Sequence, residues 1–249
     1  SEWIEVDYSQ DLVGTWTCVQ EGFAEALVIS ADGSIVATGL GGEKYWENVK
    51  GNFTVTDGNA ILAFEDNVTF EGHLDIIPGV AFSINPENGE RVTFNYCKED
   101  LADEIIGMWV SNNGPTDMEN EIQVRTYDKD GNVATTGVRT IDGNAEWMLN
   151  DECKYKVVGD LIFKKRSKEV AGQLNVTHSV ERFVYAPKAT ALGDIMNVFF
   201  YLPMGDSHVE STVSFLRIKQ QLELPGESYD YSNIYVTNVK ATDAEFEFA

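Results

Sequence analysis

The side chains able to do chemistry are few and scattered. His73, His178 and His208 are the only histidines, and none has a His, Cys or carboxylate at the spacing of a zinc ligand set. Cys18, Cys97 and Cys153 are odd in number and form no C-x-x-C, which argues against a zinc site or a disulfide framework. There is no Gly-x-Ser-x-Gly elbow, no cysteine with a histidine nearby in sequence, no G-x-G-x-x-G and no Walker-type loop. Acids are so abundant that a glycosidase-like pair can be drawn anywhere, so drawing one carries no information. Asp128-Lys129-Asp130-Gly131-Asn132 approaches a calcium loop, but its glycine stands fourth rather than sixth and no Glu closes it; it reads as a hairpin turn. No catalytic residue, metal ligand or cofactor is assigned, and the chain is read as a non-enzyme.

The aromatic residues are the more informative supply. Tyr45, Trp46, Trp147, Tyr155, Phe183 and Tyr185 fall on strand-like runs, where inward-facing members either fill a core or line a pocket. They are the candidate ligand-binding residues. Charge narrows the partner: 41 acidic residues against 18 Lys and Arg give a formal charge of -23. Nucleic acid and an anionic membrane surface both need a basic footprint, so both are excluded as partners of the folded domains.

The elements that must position these residues are strands. Runs rich in β-branched and aromatic residues, such as 14–20, 24–30, 61–64, 80–84 and 92–96, are separated by turn material at Asp32-Gly33, Asp57-Gly58, Asp66-Asn67 and Pro78-Gly79. Asp-Gly predicts a tight hairpin with positive φ at both central positions. Ser9 or Asp11 can cap a helical turn before Gly14, 98–106 is the one convincing helical patch, and 187–194 reads as a loop with room for one helical turn.

The pattern is written twice. Gly14-Thr15-Trp16 returns as Gly107-Met108-Trp109, Asp32-Gly33-Ser34 as Asp130-Gly131-Asn132, Trp46 as Trp147, and Gly72-His73-Leu74 as Gly172-Gln173-Leu174. The copies keep one order and lie about 100 residues apart, which predicts two units, residues 1–100 and 101–249, of about eight antiparallel strands each. The second unit carries the larger loops, including 112–119. Such strand spacing suits a barrel or a sandwich. Cys18 and Cys97 fall on the first and last strands of the first unit, neighbours in a closed sheet, so they form either a disulfide or separate thiols.

Gly14-x-Trp16 and Gly107-x-Trp109, each opening an antiparallel set after a short turn, resemble the Gly-x-Trp start of lipocalin-like (calycin) β-barrels. There the glycine lets the chain bend at the barrel floor and the indole plugs the closed end. The resemblance implies an all-β fold of two tandem lipocalin-like β-barrels, the second enlarged. It also implies a basic residue under each Trp, for which Arg91 and Arg217 are the candidates. Similar domains occur in bacterial secreted and cell-envelope proteins, often lipoproteins. The implied localisation is therefore periplasmic, outer-membrane-anchored or extracellular. A chain that opens Ser1-Glu2-Trp3 without Met suits a mature exported form as well as a cloning boundary. The implied function is binding of a small, mostly apolar molecule in a barrel mouth. The alternative is a surface module that holds a protein or glycan partner, with both barrels filled.

Overall fold

The computed structural model describes residues 8–20, 22–42, 44–111, 122–141, 144–190, 193–204 and 207–218. After one helical turn, α1 (Tyr8–Asp11), the first unit runs through β1 (Gly14–Gln20), β2 (Phe23–Ile29), β3 (Ser34–Gly41), β4 (Lys44–Thr56), β5 (Asn59–Phe64), β6 (Thr69–Ile77), β7 (Ala81–Asn85) and β8 (Val92–Cys97). The second runs through β9 (Gly107–Ser111), β10 (Ile122–Tyr127), β11 (Asn132–Ile141), β12 (Asn144–Val158), β13 (Leu161–Val170), β14 (Gln173–Thr190), β15 (Gly193–Met204) and β16 (Ser207–Ile218). Each strand pairs with the next, and the last returns to the first, which closes two eight-stranded antiparallel barrels in tandem. Closure removes the sheet edges that an open meander would leave unpaired.

The side chains alternate about the barrel wall, as a period of two demands. In the first barrel Trp16, Leu27, Ile35, Leu62, Phe82 and Phe94 meet inside. In the second, Trp109, Tyr127, Ile162, Phe183, Val198 and Phe215 do so. The two floors are built alike. Gly14 and Gly107 hold φ of 135° and 130°, values that side chains with a Cβ rarely adopt. Two residues on, the indole turns inward and is fully buried, its Nε1–H donating to the carbonyl of the preceding turn. Trp16 reaches Leu12 O at 2.8 Å and Trp109 reaches Ile105 O at 2.8 Å.

Underneath the indole the copies differ. Arg217 lies opposite Trp109 on the closing strand, its guanidinium 4.4 Å from the ring centroid, and donates to Ile106 O at 2.9 Å. The same register position in the first barrel, opposite Trp16, belongs to Tyr96, packed edge-on at 4.9 Å. Arg91, the other candidate, instead donates to Ser83 Oγ at 2.9 Å. A tyrosine thus replaces the guanidinium, and the expected basic residue holds in one barrel of the two.

Three further expectations change, and the open choice at Cys18 and Cys97 is decided. The patch at 98–106 is a single turn rather than a helix, held by bonds such as Ile105 N–H to Leu101 O; so few residues do not offset the cost of helix nucleation. Asp57 and Gly58 both have positive φ, as expected, but at Asp32-Gly33 only Gly33 does. There the chain from Ser30 to Ser34 takes a longer hairpin, with Asp32 Oδ1 accepting from Ser34 N–H at 2.9 Å. Within 187–194, β14 continues to Thr190 and β15 starts at Gly193, with a register shift between Ala186 and Thr190. Cys18 and Cys97 are free thiols. Their strands are neighbours, yet Cys18 points into the core, whereas Cys97 faces outward beside Thr15 and Thr17.

The barrels meet along a seam. Ala24, Ala26 and Leu40 on the outside of the first pack against Leu161, Phe163 and Val180 on the outside of the second. At the floor end, Asp160 in the β12–β13 turn accepts from Thr17 Oγ1 of the first barrel and from Arg182 Nε of the second, both at 2.7 Å.

Candidate ligand cavity

The mouth of the first barrel, at the end away from Gly14 and Trp16, holds a cavity of about 320 Å³. Its wall is mostly apolar, with Phe23, Trp46, Leu62, Phe64, Phe70 and Phe94 among the residues that line it. A gap in packing brings Trp46 to this wall. The ideal Cβ of an alanine at Gly39 would lie 2.3 Å from the Trp46 ring, so only the bare glycine backbone admits the indole there. At the rim Lys44 and Asp66 stand 4.0 Å apart, both exposed.

One carboxylate lies inside. Glu25 on β2 shares the inward face with Phe23, Leu27 and Ile29 and is only 8% exposed. Trp46 Nε1–H donates to Glu25 Oε2 at 2.9 Å. Burial pushes the carboxyl up to about 7 and the indole bond only partly offsets this, so Glu25 titrates near neutral pH. Its neighbour Cys18 is pushed up to about 12 by burial and by Glu25, and remains a thiol.

The six aromatic candidates do not converge. Of the five whose side chains are described, Trp46 alone lines the cavity. Tyr45, its neighbour on β4, necessarily faces the opposite side of the sheet and lies in the seam, its ring stacked 4.2 Å from that of His178. Phe183 is buried in the second core. Tyr155 packs edge-on against Tyr127 and donates to Asp128 O at 2.6 Å, near the floor. Tyr185 donates to Asp194 Oδ2 at 3.0 Å and lies 6.3 Å from Trp109, also at the floor. Trp147 is on β12, and its side chain lies outside the described residues. Asp128, from the sequence that approaches a calcium loop, uses its carboxylate to accept from Asp130 N–H and from Asn132, as a hairpin turn does.

The interior of the second barrel is of a different kind. Arg125 occupies the register position that Leu27 holds in the first, opposite the floor Trp. Its Nη1 donates to Glu181 Oε2 at 2.8 Å, and Lys164 Nζ donates to Glu181 Oε1 at 2.7 Å, with all three side chains buried. Burial alone would raise Glu181, but Arg125 and Lys164 outweigh it and hold the carboxyl below its ordinary value. Here the buried acid finds its cationic partners within the protein.

Glu25 is not among the six residues expected from the sequence, although the chain carries a signal for it. In Phe23-Ala24-Glu25-Ala26-Leu27 an acid stands where alternation calls for an apolar inward residue. No protein-family model, no curated protein and no solved structure matches the chain.

Proposed function

We propose that this protein binds a small, mostly apolar molecule, without transforming it, in the mouth of its first barrel. The observation that carries this reading is the apolar cavity of about 320 Å³ at the end opposite the Trp16 floor. That volume is within the range of small-molecule sites, ~300–1,000 Å³. Export to the bacterial envelope or beyond belongs to the same proposal and rests on the Gly-x-Trp resemblance. Native mass spectrometry of protein purified gently from its own host tests the reading, together with titration of an environment-sensitive naphthylamine dye. The expected result is a bound small molecule or one dye per chain, with quenching of Trp46. No copurifying mass and no saturable dye binding would reject it.

One observation favours the alternative, a surface module for a protein or glycan partner. The β13–β14 hairpin carries exposed Val170, Leu174 and Val176, and Leu174 is 68% exposed. On that reading Leu174→Asp with Val176→Asp abolishes partner capture and leaves dye binding untouched. Capture that survives the double substitution counts against it.

A further inference from the structure

Charge bookkeeping inside the two barrels points to the chemistry of the ligand. In the second barrel the buried acid Glu181 has a cation on each carboxylate oxygen, Arg125 on one and Lys164 on the other. In the first barrel the buried acid Glu25 has an indole N–H on Oε2, while among the described residues no donor reaches Oε1 and no Lys, Arg or His pairs with it. Among the described residues that line the cavity the one base is Lys44, at the rim and paired with Asp66. A buried carboxylate without a cation is costly, and proteins retain such groups where a function uses them. In the duplicated register the position of Glu25, two residues before the residue opposite the floor Trp, is held by Gln123, so the acid is a property of the first barrel alone.

We propose that Glu25 is the counter-ion for the ligand, and that the first barrel takes an aliphatic amine: a protonated amino group seated on Glu25 and an apolar tail along Phe23, Phe64 and Phe70. This rests on the reading of the cavity as the binding site. The ammonium supplies the donors that Oε1 lacks, in a charge-assisted hydrogen bond roughly twice as strong as a neutral one. The apolar wall takes the tail, and the cavity excludes a carboxylate head, which would place two acids side by side. The net charge of -23 also draws cations towards the chain. That effect is general, so the test must separate it from Glu25.

Isothermal titration of the full chain at pH 8 with decylamine, decanol and decanoate makes the separation, using wild type, Glu25→Gln and Val49→Phe. Val49 lines the cavity mouth, so a phenylalanine there occupies the site. The expected order is amine tighter than alcohol by about ten-fold or more, with decanoate weakest. Glu25→Gln removes one acid among 41, so the overall attraction for cations persists while the amine preference falls to within about two-fold of the alcohol. Val49→Phe weakens all three. Decanol binding as tightly as decylamine, or an amine preference that survives Glu25→Gln, overturns the amine assignment and leaves the binding site standing. Failure of all three probes to bind, or binding indifferent to Val49→Phe, overturns the binding site and the assignment with it.

Discussion

Glu25 sets the behaviour expected at the scale of a residue. Its carboxyl titrates at about 7 in the fold and at the ordinary value of 4.5 in the unfolded chain. Between those values the folded state holds the proton and the unfolded state does not. Stability from this group is therefore complete below the unfolded value and is lost as pH rises through the folded one. The loss amounts to ~3 kcal/mol at most. Glu25→Gln has no such titration, so urea unfolding should show it gaining on wild type between pH 5 and pH 8, by an amount on the order of 1–3 kcal/mol. A constant difference across that range would mean that Glu25 is not buried as described. Gly39→Ala tests the other side of the site. The new Cβ pushes the Trp46 ring off the wall and breaks its bond to Glu25, with an expected cost of about 1–3 kcal/mol and a red shift of indole fluorescence. An unshifted spectrum would contradict the packing.

At the scale of an element, the floors show what can be read from a sequence and what cannot. Gly-x-Trp is legible because each residue has one job there, a positive φ and a plug, and both jobs are done in both copies. The partner under the indole is not legible, because it arrives from the closing strand more than 75 residues later in the chain and only pairing selects Tyr96 or Arg217. The same limit explains Tyr45 and Trp46. Alternation says that one of two neighbours faces inward; the register against β3, with its shift between Ala37 and Gly39, decides which. Arg217→Ala should remove the stacking on Trp109 and the bond to Ile106 O, lowering stability by about 2 kcal/mol, with Arg217→Lys intermediate because a lysine cannot stack its head group flat on the ring. Equal stability of all three by denaturant unfolding would remove the guanidinium from the floor's account.

For the whole molecule, the duplication has produced two interiors with different contents. One is an apolar cavity with a lone acid; the other is crossed by the Arg125–Glu181–Lys164 ion group. The seam between them could not be read from the chain. Ala24, Ala26 and Leu40 are outward residues of a barrel, and their apolar character looks the same whether the cover is solvent or a neighbour. Ala26 is fully buried there, so Ala26→Asp should uncouple the barrels and split one thermal transition into two; a single unchanged transition would show that the seam carries little of the stability. Amine affinity should also rise from pH 5.5 to pH 8 as Glu25 loses its proton. The other groups near it do not reverse that trend, since the Cys18 thiol stays protonated and Lys44 and Asp66 face each other at the rim.

The central claim is that the mouth of the first barrel is a binding site, and calorimetric titration of decanol into wild type and Val49→Phe tests it most directly, because this probe needs only the apolar cavity. One saturable site per chain is expected in wild type, and loss of binding in a Val49→Phe protein that still unfolds cooperatively. Absence of heat in wild type, or equal binding by the two proteins, would contradict it.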